Sequence, residues 1–186
     1  MLINMDTIIK DDNPLIREKS EEVSLPLSKE DEDLLKDMLT YVIESTDEKL
    51  AEEKNLSPAV GISAIQVGVK KKMMAIALKD DEGNITHKYA LVNPKLVSYS
   101  IEQTYLKSGE GCLSVPEFHD GYIYRHARIK VKAYDALTKE NVELKLKDYI
   151  AIIFQHEMDH FNGILYYDHI NKDNKFYEDE NAIVIE

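Results

Sequence analysis

Apolar residues recur with helical spacing near the start of the chain. After Ser28 they fall on one stripe, three and four positions apart, and Asp31 follows Ser28 as in a capping box. This pattern predicts an amphipathic helix whose stripe consists of Leu34, Leu35, Met38, Leu39, Val42 and Ile43. Upstream, Asn13-Pro14 is typical of a helix cap followed by the first helical position, which predicts a short helix over Leu15 to Lys19.

Downstream the pattern changes to alternation of polar and apolar positions. The charged stretch Asp47 to Lys54 first predicts a solvated helix end and loop, closed by Ser57-Pro58. The segments that then predict strands are Met73 to Leu78, Lys88 to Val92, Ile101 to Lys107, Ile129 to Tyr134 and Val142 to Lys147. The turn signals that separate them are Asp81 to Asn84, Asn93-Pro94 and Asp135 to Asn141. Because most connections are too short for helical crossovers, we expect antiparallel pairing.

A further helix is predicted from Asp148, as its cap, to Gly163, as its terminator. Its first turns, Tyr149 to Phe154, are apolar on every face, which indicates a buried central helix. The polar tail that follows ends in Ala182 to Ile185, a predicted last strand. Strands between segregated helices indicate an α+β fold. We expect antiparallel β-sheets packed around the central helix, in a single domain over residues 1–186.

Composition and charge exclude several classes of protein. The 186 residues include 23 Lys and Arg against 35 Asp and Glu, and the net charge of −12 does not favour binding to nucleic-acid backbones. A single cysteine excludes a disulfide framework and the cysteine-rich zinc modules. Unbroken apolar runs are too short to span a membrane, and the first residues lack the pattern of a secretory signal. We therefore expect a cytoplasmic protein that binds neither membranes nor nucleic acid.

The segment Gln155 to His160 indicates metal chemistry. His156 and His160, four positions apart, lie on one face of the predicted helix and are close enough to share a metal ion. Glu157 is rotated by about 100° around the helix axis, so it flanks the ion as a general base would. Roughly 0.02 matches to this pattern are expected by chance from the composition. Because the helix is apolar around them, a metal site is favoured over two hydrogen-bonded core histidines.

A catalytic site of this kind takes three protein ligands, and the third has three candidates. The extended metallopeptidase pattern fails, because its next histidine would fall at Tyr166 and the nearest histidine is His169. A carboxylate about 20 residues downstream, as in thermolysin-like enzymes, would be Glu178 or Glu180. The remaining candidate is Cys112, the only thiol, which stands between glycines and a Ser-x-Pro turn where the backbone can approach a ligand closely.

The segment Ala59 to Gln66 adds a candidate oxyanion site. Its small residues let the backbone run close to a ligand, and the Gln66 amide can donate a hydrogen bond to a developing oxyanion. The alternative is a tight loop that packs on a helix and leaves Gln66 exposed.

These three segments together resemble peptide deformylase. That family carries G-x-G-x-A-A-x-Q, then E-G-C-L-S, then Q-H-E-x-D-H-L-x-G, and the second motif is intact here from Glu110 to Ser114. The third is intact from Gln155 to Gly163, except that Phe161 replaces leucine. The first departs at Ala59, which replaces a glycine, and at Ser63, which replaces an alanine. Phe161 and Ser63 are predicted to alter packing only, with Ser63 able to bond locally.

The resemblance implies the deformylase fold and a hydrolase that removes the N-formyl group from the N-terminal methionine of nascent polypeptides. The insertion before the first motif, Val115 after Ser114 and the strand-like tail resemble the longer bacterial subclass. One divalent metal ion is implied, natively Fe(II) and replaceable by Ni, Co or Zn, although the ligand types alone would suggest zinc. The implied partners are N-formylmethionyl peptides and, transiently, the ribosome.

The resemblance also implies a role for each site residue. The metal ligands would be Cys112, His156 and His160, with water as the fourth. Glu157 would take the proton from this water as it attacks the formyl carbon, and later deliver it to the leaving amine. Gln66 and the N–H of Leu113 would stabilise the oxyanion. The implied substrate-binding residues are Val60, Gly61 and Gly111 along the peptide backbone, Glu110, Tyr149, Ile152 and Ile153 with His156 around the methionine side chain, and Arg125 near the site.

Two other interpretations compete with this one. The runner-up is a zinc endopeptidase that uses Glu178 or Glu180 as its third ligand. The next is a non-enzymatic domain whose structural metal is closed by four protein ligands. The first two interpretations differ in whether Cys112 holds the metal.

Overall fold

A five-stranded antiparallel sheet lies at the centre of the computed structural model, which describes residues 2–186. In chain order the strands are β1 Gly61–Ser63, β2 Met73–Lys79, β3 Ile85–Tyr99, β4 Gln103–Leu106, β5 Arg125–His126, β6 Arg128–Asp135, β7 Glu140–Lys147 and β8 Ile183–Ile185. The large sheet has the order β1-β2-β3-β6-β7, and a small sheet has the order β5-β4-β8. β1 is therefore an edge strand of the large sheet.

Helices cover both faces of the large sheet. They are α1 Lys29–Ser45 on one face and α3 Asp148–His160 on the other, and the short helix α2 Glu48–Lys54 follows α1. Met73 and Ala75 of β2 belong to the core that α1 completes. Met74 and Ile76 belong to the core that α3 completes. Because successive residues of a strand point to opposite faces, the unbroken apolar run of β2 is buried on both sides. No helix within residues 2–186 is both long and apolar enough to cross a membrane.

The structure confirms the first predicted helices. Ser28 is the N-cap of α1, and its hydroxyl accepts a hydrogen bond from the N–H of Asp31. All the predicted stripe residues of α1 are buried except Ile43, which is partly buried. The short N-terminal helix is a 3-10 turn over Pro14–Arg17, and the Asn13 side chain caps it.

The stretch predicted as a solvated helix end and loop is a separate helix, α2, so that prediction is wrong. Asp47 caps this helix by accepting a hydrogen bond from the N–H of Leu50. Asn55 ends it in the left-handed conformation, which asparagine tolerates better than most residues. Local capping at both ends thus stabilises a helix that has no buried residue of its own.

β3 runs through Asn93 and Pro94, where the sequence predicts a turn, so this prediction is also wrong. Asn93 has φ 51°, and the pairing with β6 shifts register between Val92 and Lys95, as at a β-bulge. A proline at a bulge removes no bond from the ladder. The Asn93 side chain accepts from the N–H of Val23 and donates to its carbonyl, both at 2.8 Å, which anchors the N-terminal segment.

The remaining elements confirm the predicted α+β class, although the sequence pattern predicts neither β1 nor β5 and α3 ends at His160, before Gly163. Residues Ile150 to Phe154 of α3 are all buried, as predicted for the central helix. Lys147 rather than Asp148 is the N-cap, and Asp148 itself has φ 59°. The predicted last strand is present as β8, and it pairs parallel to β4, whereas the other strand pairs within residues 2–186 are antiparallel.

Candidate active site

Three potential metal ligands meet beside the C-terminal half of α3. His156 and His160 lie on the same face of this helix, with ring centroids 5.4 Å apart. Cys112 comes from the loop after β4, and its Sγ lies 3.5 Å from Nε2 of His160. One ligand atom from each of the three lies within 4.8 Å of the others, and no other such trio occurs within residues 2–186.

This donor set fits a divalent transition metal. In a tetrahedral site with bonds of about 2.3 Å to sulfur and about 2.1 Å to nitrogen, two such donors lie about 3.6 Å apart. The observed distance from Sγ of Cys112 to Nε2 of His160 is 3.5 Å. Burial raises the pKa of the Cys112 thiol, but the neighbouring imidazoles of His160 and His156 outweigh burial and lower the pKa to about 5. The sulfur is therefore a thiolate at neutral pH, the form that binds metals.

Glu110 orients His156 from the side away from the thiolate. Its Oε2 lies 2.8 Å from Nδ1 of His156, and its two oxygens each accept a hydrogen bond from Arg125 at 2.9 Å. Burial raises the pKa of Glu110, yet the charge of Arg125 outweighs burial and holds the pKa at about 2. Because an ionised carboxylate only accepts, Nδ1 of His156 donates to Glu110 and Nε2 is left to bind a metal.

Arg125 supports this carboxylate and does not line the cleft, although the resemblance implies a place near the substrate. Its side chain is 3% exposed, and its Nη1 also donates to Oδ2 of Asp159 at 2.5 Å. Asp159 in turn lies 2.7 Å from Nε2 of His169. His169, which stands three positions too late for the extended metallopeptidase pattern, thus belongs to this network. Sequence reasoning missed the role of Asp159, for which the only signal was a charged residue on a buried helix.

Glu157 lies against β1 and lines the cleft. Glu157 is 4% exposed, and this burial raises the pKa of its carboxyl group above the usual value. Oγ of Ser63 lies 2.8 Å from Oε2 of Glu157 and 2.9 Å from its main-chain oxygen. The prediction that Ser63 alters packing only is therefore wrong. Phe161, by contrast, is buried in the core shared by α3 and the large sheet.

Gln66 is buried beside the thiolate, which contradicts the alternative of an exposed loop residue. Its Nε2 lies 3.5 Å from Sγ of Cys112 and 3.1 Å from Oγ of Ser114. Leu113 lines the cleft next to the thiolate, and its carbonyl accepts a hydrogen bond from Nζ of Lys10 at 2.9 Å. Sequence reasoning missed Lys10, because nothing in the local pattern connects the N-terminal segment with this loop.

An open cleft of about 680 Å³ gives access to these groups. The predicted site residues that line it are Val60, Gly61, Gln66, Glu110, Gly111, Cys112, Leu113, Tyr149, Ile152, Ile153, His156 and Glu157. A Cβ added at Gly111 would meet nothing within 4 Å, so the cleft is open on that side. Of the predicted site residues, Arg125 and His160 lie behind this lining, both buried.

The carboxylate alternative for the third ligand finds no support. Glu178 and Glu180 are exposed in the segment that precedes β8. Neither belongs to the trio of ligand atoms, whose third member is Cys112. The geometry therefore favours the cysteine ligand over the endopeptidase arrangement.

Comparisons with known proteins agree with this geometry. The family model described as Polypeptide deformylase matches residues 5–176. Peptide deformylase 2 of Bacillus subtilis strain 168 is 48% identical over 185 residues, which cover 100% of both chains. Peptide deformylase of Staphylococcus epidermidis is 44% identical over 184 residues, which cover 99% of this chain and 100% of that protein.

Solved structures give the same result. The crystal structure of a probable peptide deformylase from Synechococcus phage S-SSM7 superposes with a TM-score of 0.70 at 30% identity, covering 87% of this chain and 97% of that one. Peptide deformylase from Ehrlichia chaffeensis superposes with a TM-score of 0.70 at 28% identity, covering 90% and 88%. The chain belongs to the polypeptide deformylase family, hydrolases that remove the N-formyl group from nascent polypeptides.

Proposed function

We propose that this chain carries out the deformylase reaction in the cleft beside α3, with Cys112, His156 and His160 holding one divalent metal ion. The observation that supports this most is that the three ligand atoms lie within 4.8 Å of one another beside an open cleft. A closed structural site would instead need a fourth protein ligand. When bound, the ion would lower the pKa of a water nucleophile and polarise the formyl carbonyl.

Fe(II) is the ion that we propose for the native enzyme. The resemblance to the family motifs supports iron, with Ni, Co or Zn as replacements. A thiolate with two imidazoles suits several of these ions, so the donor set alone does not select one. The ionised Glu110 would strengthen the site by fixing the ring of His156.

Glu157 would act as general base and then general acid. Its Oε2 is engaged by Ser63, which leaves Oε1 to accept a proton from the attacking water. The raised pKa that burial gives this carboxyl group suits a residue that must hold a proton between two steps. Glu157 would then pass the proton to the amine that leaves as formate is released.

Gln66 and Leu113 would stabilise the negative charge that develops on the formyl oxygen. The Gln66 amide nitrogen is held 3.5 Å from the Cys112 sulfur, so it already lies next to the metal ligands. The main-chain N–H of Leu113 belongs to the turn that immediately follows this cysteine. Two prearranged donors beside a partly buried thiolate are suited to oxyanion stabilisation.

The substrate would lie along β1 with its methionine side chain near α3. β1 is an edge strand, so Val60 and Gly61 can offer main-chain groups to an extended peptide, with Gly111 on the opposite side of the cleft. The residues proposed to surround the methionine side chain are Glu110, Tyr149, Ile152 and Ile153. Arg125 does not line the cleft, and it would contribute indirectly by keeping Glu110 ionised.

The substrates we propose are N-formylmethionyl peptides met in the cytoplasm as nascent chains on the ribosome. Residues 164–186 contain two lysines against six acidic residues, which does not favour docking on RNA. Recognition would therefore rest on the formylated end of the peptide. We also propose that residues 1–186 form one catalytic domain.

The test is an anaerobic assay of a formyl-Met-Ala peptide, with metal analysis of the same samples. We expect release of formate by the wild type, loss of metal and activity in Cys112→Ser, and retained metal without activity in Glu157→Gln. Glu180→Gln serves as the control and should keep both metal and activity. If Glu180→Gln loses the metal while Cys112→Ser keeps it, the endopeptidase arrangement is supported instead.

A further inference from the structure

We propose that Ser63 is a positioning residue for the reaction, because its hydroxyl group fixes the carboxylate of Glu157 against β1. This inference rests on the proposed role of Glu157 as general base. Ser63 and Gly61 are alternate residues of the three-residue strand β1, so both point to the same face of it. That face is the one that meets the Glu157 side chain.

The Ser63 hydroxyl group is placed to donate a hydrogen bond to the Glu157 carboxylate. Among residues 2–186, Ser63 is the side chain hydrogen-bonded to the Glu157 carboxyl group, through Oε2 at 2.8 Å. Both residues are buried, with Ser63 at 0% exposure, so little water is available to replace this donor. A hydrogen bond to a buried charged group is stronger than one between neutral groups.

The second contact of the hydroxyl group restricts its movement. Oγ of Ser63 also lies 2.9 Å from the main-chain oxygen of Glu157, so both hydrogen-bond acceptors near it belong to one residue of α3. The single O–H donates to one of these two oxygens at a time, and with either partner Ser63 holds β1 against the same residue of α3. Oε1 is left outside this interaction, as a proton acceptor that serves catalysis must be.

Gly61 lies close to the other oxygen of the Glu157 carboxylate. A Cβ added at this position would lie 2.6 Å from Oε1 and 2.9 Å from Cγ of Glu157. The strand thus contacts both carboxylate oxygens, one by a hydrogen bond and the other by close approach. Loss of the Ser63 hydroxyl would remove the hydrogen bond and leave only the close approach of Gly61. The carboxylate could then rotate about its Cγ–Cδ bond.

The experiment compares Ser63→Ala with Ser63→Thr, which keeps the hydroxyl group, in metal-loaded enzyme of equal metal content. We expect Ser63→Ala to lower kcat about fivefold with KM within twofold of the wild-type value, and Ser63→Thr to recover at least half of kcat. Ser20→Ala is the matched control, because Ser20 is also buried and its hydroxyl has no hydrogen-bond partner. Its kcat should equal that of the wild type.

A second measurement does not depend on activity. Urea unfolding of metal-free Ser63→Ala should show a lower midpoint than wild type, and the same substitution should shift the midpoint less in a Glu157→Ala background. An equal shift in both backgrounds, or a wild-type kcat for Ser63→Ala, would overturn the inference. If Glu157→Ala itself keeps full activity, the proposed general base is wrong. If Glu157→Ala is inactive and Ser63→Ala has wild-type kcat, only the role of Ser63 is wrong.

Discussion

Replacement of Gly61 by alanine tests how closely β1 fixes the position of Glu157, the proposed general base. The added Cβ would stand 2.6 Å from Oε1 of Glu157, 2.9 Å from its Cγ and 3.0 Å from its Cδ, whereas ordinary contacts begin at 3.4 Å. The Glu157 side chain, which is the flexible partner, must therefore move by about 0.8 Å to restore an ordinary contact. A displacement of about 1 Å in a reacting group costs up to about 100-fold in rate. We expect kcat to fall about 30- to 100-fold.

The assay is steady-state hydrolysis of a formyl-Met peptide by metal-loaded Gly61→Ala, with metal content measured on the same preparation. Alanine keeps the main-chain groups of the strand, so KM should stay within about threefold of the wild-type value. Gly111→Ala is the contrast, because its added Cβ meets nothing within 4 Å in the free enzyme. It projects into the cleft and should raise KM more than it lowers kcat. A Gly61→Ala variant whose kcat lies within threefold of wild type would refute the steric reasoning.

Three further predictions concern Arg125, Glu110 and Gly163. Arg125→Met leaves Glu110 and Asp159 without their buried cation, so urea unfolding should show a loss of about 3–5 kcal/mol, and competition with a chelator should show metal affinity reduced about 10- to 100-fold. Because the pKa of Glu110 is about 2 in the folded chain and near its usual value when unfolded, its contribution to stability is complete above about pH 4.5 and is lost as pH falls toward 2. Urea unfolding of metal-free protein between pH 5 and pH 3 should show this slope in wild type and a smaller one in Glu110→Gln. Gly163→Ala should lower the melting temperature strongly or prevent folding, because Gly163 has φ +69° and an added Cβ would stand 2.0 Å from the main-chain oxygen of Arg17.

The parts of the fold that could be predicted from the sequence are those set by local periodicity. α1 has a stripe and a cap within its own span, and β2 is an unbroken apolar run from Met73 to Leu78. The continuity of β3 through Asn93-Pro94 could not be predicted in this way. It depends on a side chain that bonds Val23, 70 residues away, and on a register shift opposite β6. Turn signals at a bulge are locally the same as those at a loop.

In the candidate site, too, some features follow from local spacing and others from contacts between distant residues. His156 and His160 are one helical turn apart, so their shared ion could be inferred from spacing. Cys112 was one of three candidates for the remaining ligand, and the resemblance to known motifs selected it. The contact of Lys10 with Leu113 spans 103 residues, and the bond of Arg125 to Asp159 spans 34. Pairings over such separations are set by the tertiary fold and leave no periodic pattern in the sequence.

β1 illustrates why three residues of an edge strand can matter more than their length suggests. One face of this strand contacts Glu157, the proposed general base, through Gly61 and Ser63, while its outer edge is open to an extended peptide. Its inner edge pairs with β2 from Gly61 to Ser63, and β2 is buried on both sides. If the proposed substrate pose and the proposed role of Glu157 hold, a single short element fixes the distance between the peptide and the base, and the core of the sheet holds this element in place. Side-chain changes on the face of β1 should alter kcat, whereas changes that displace its backbone should alter kcat and KM together.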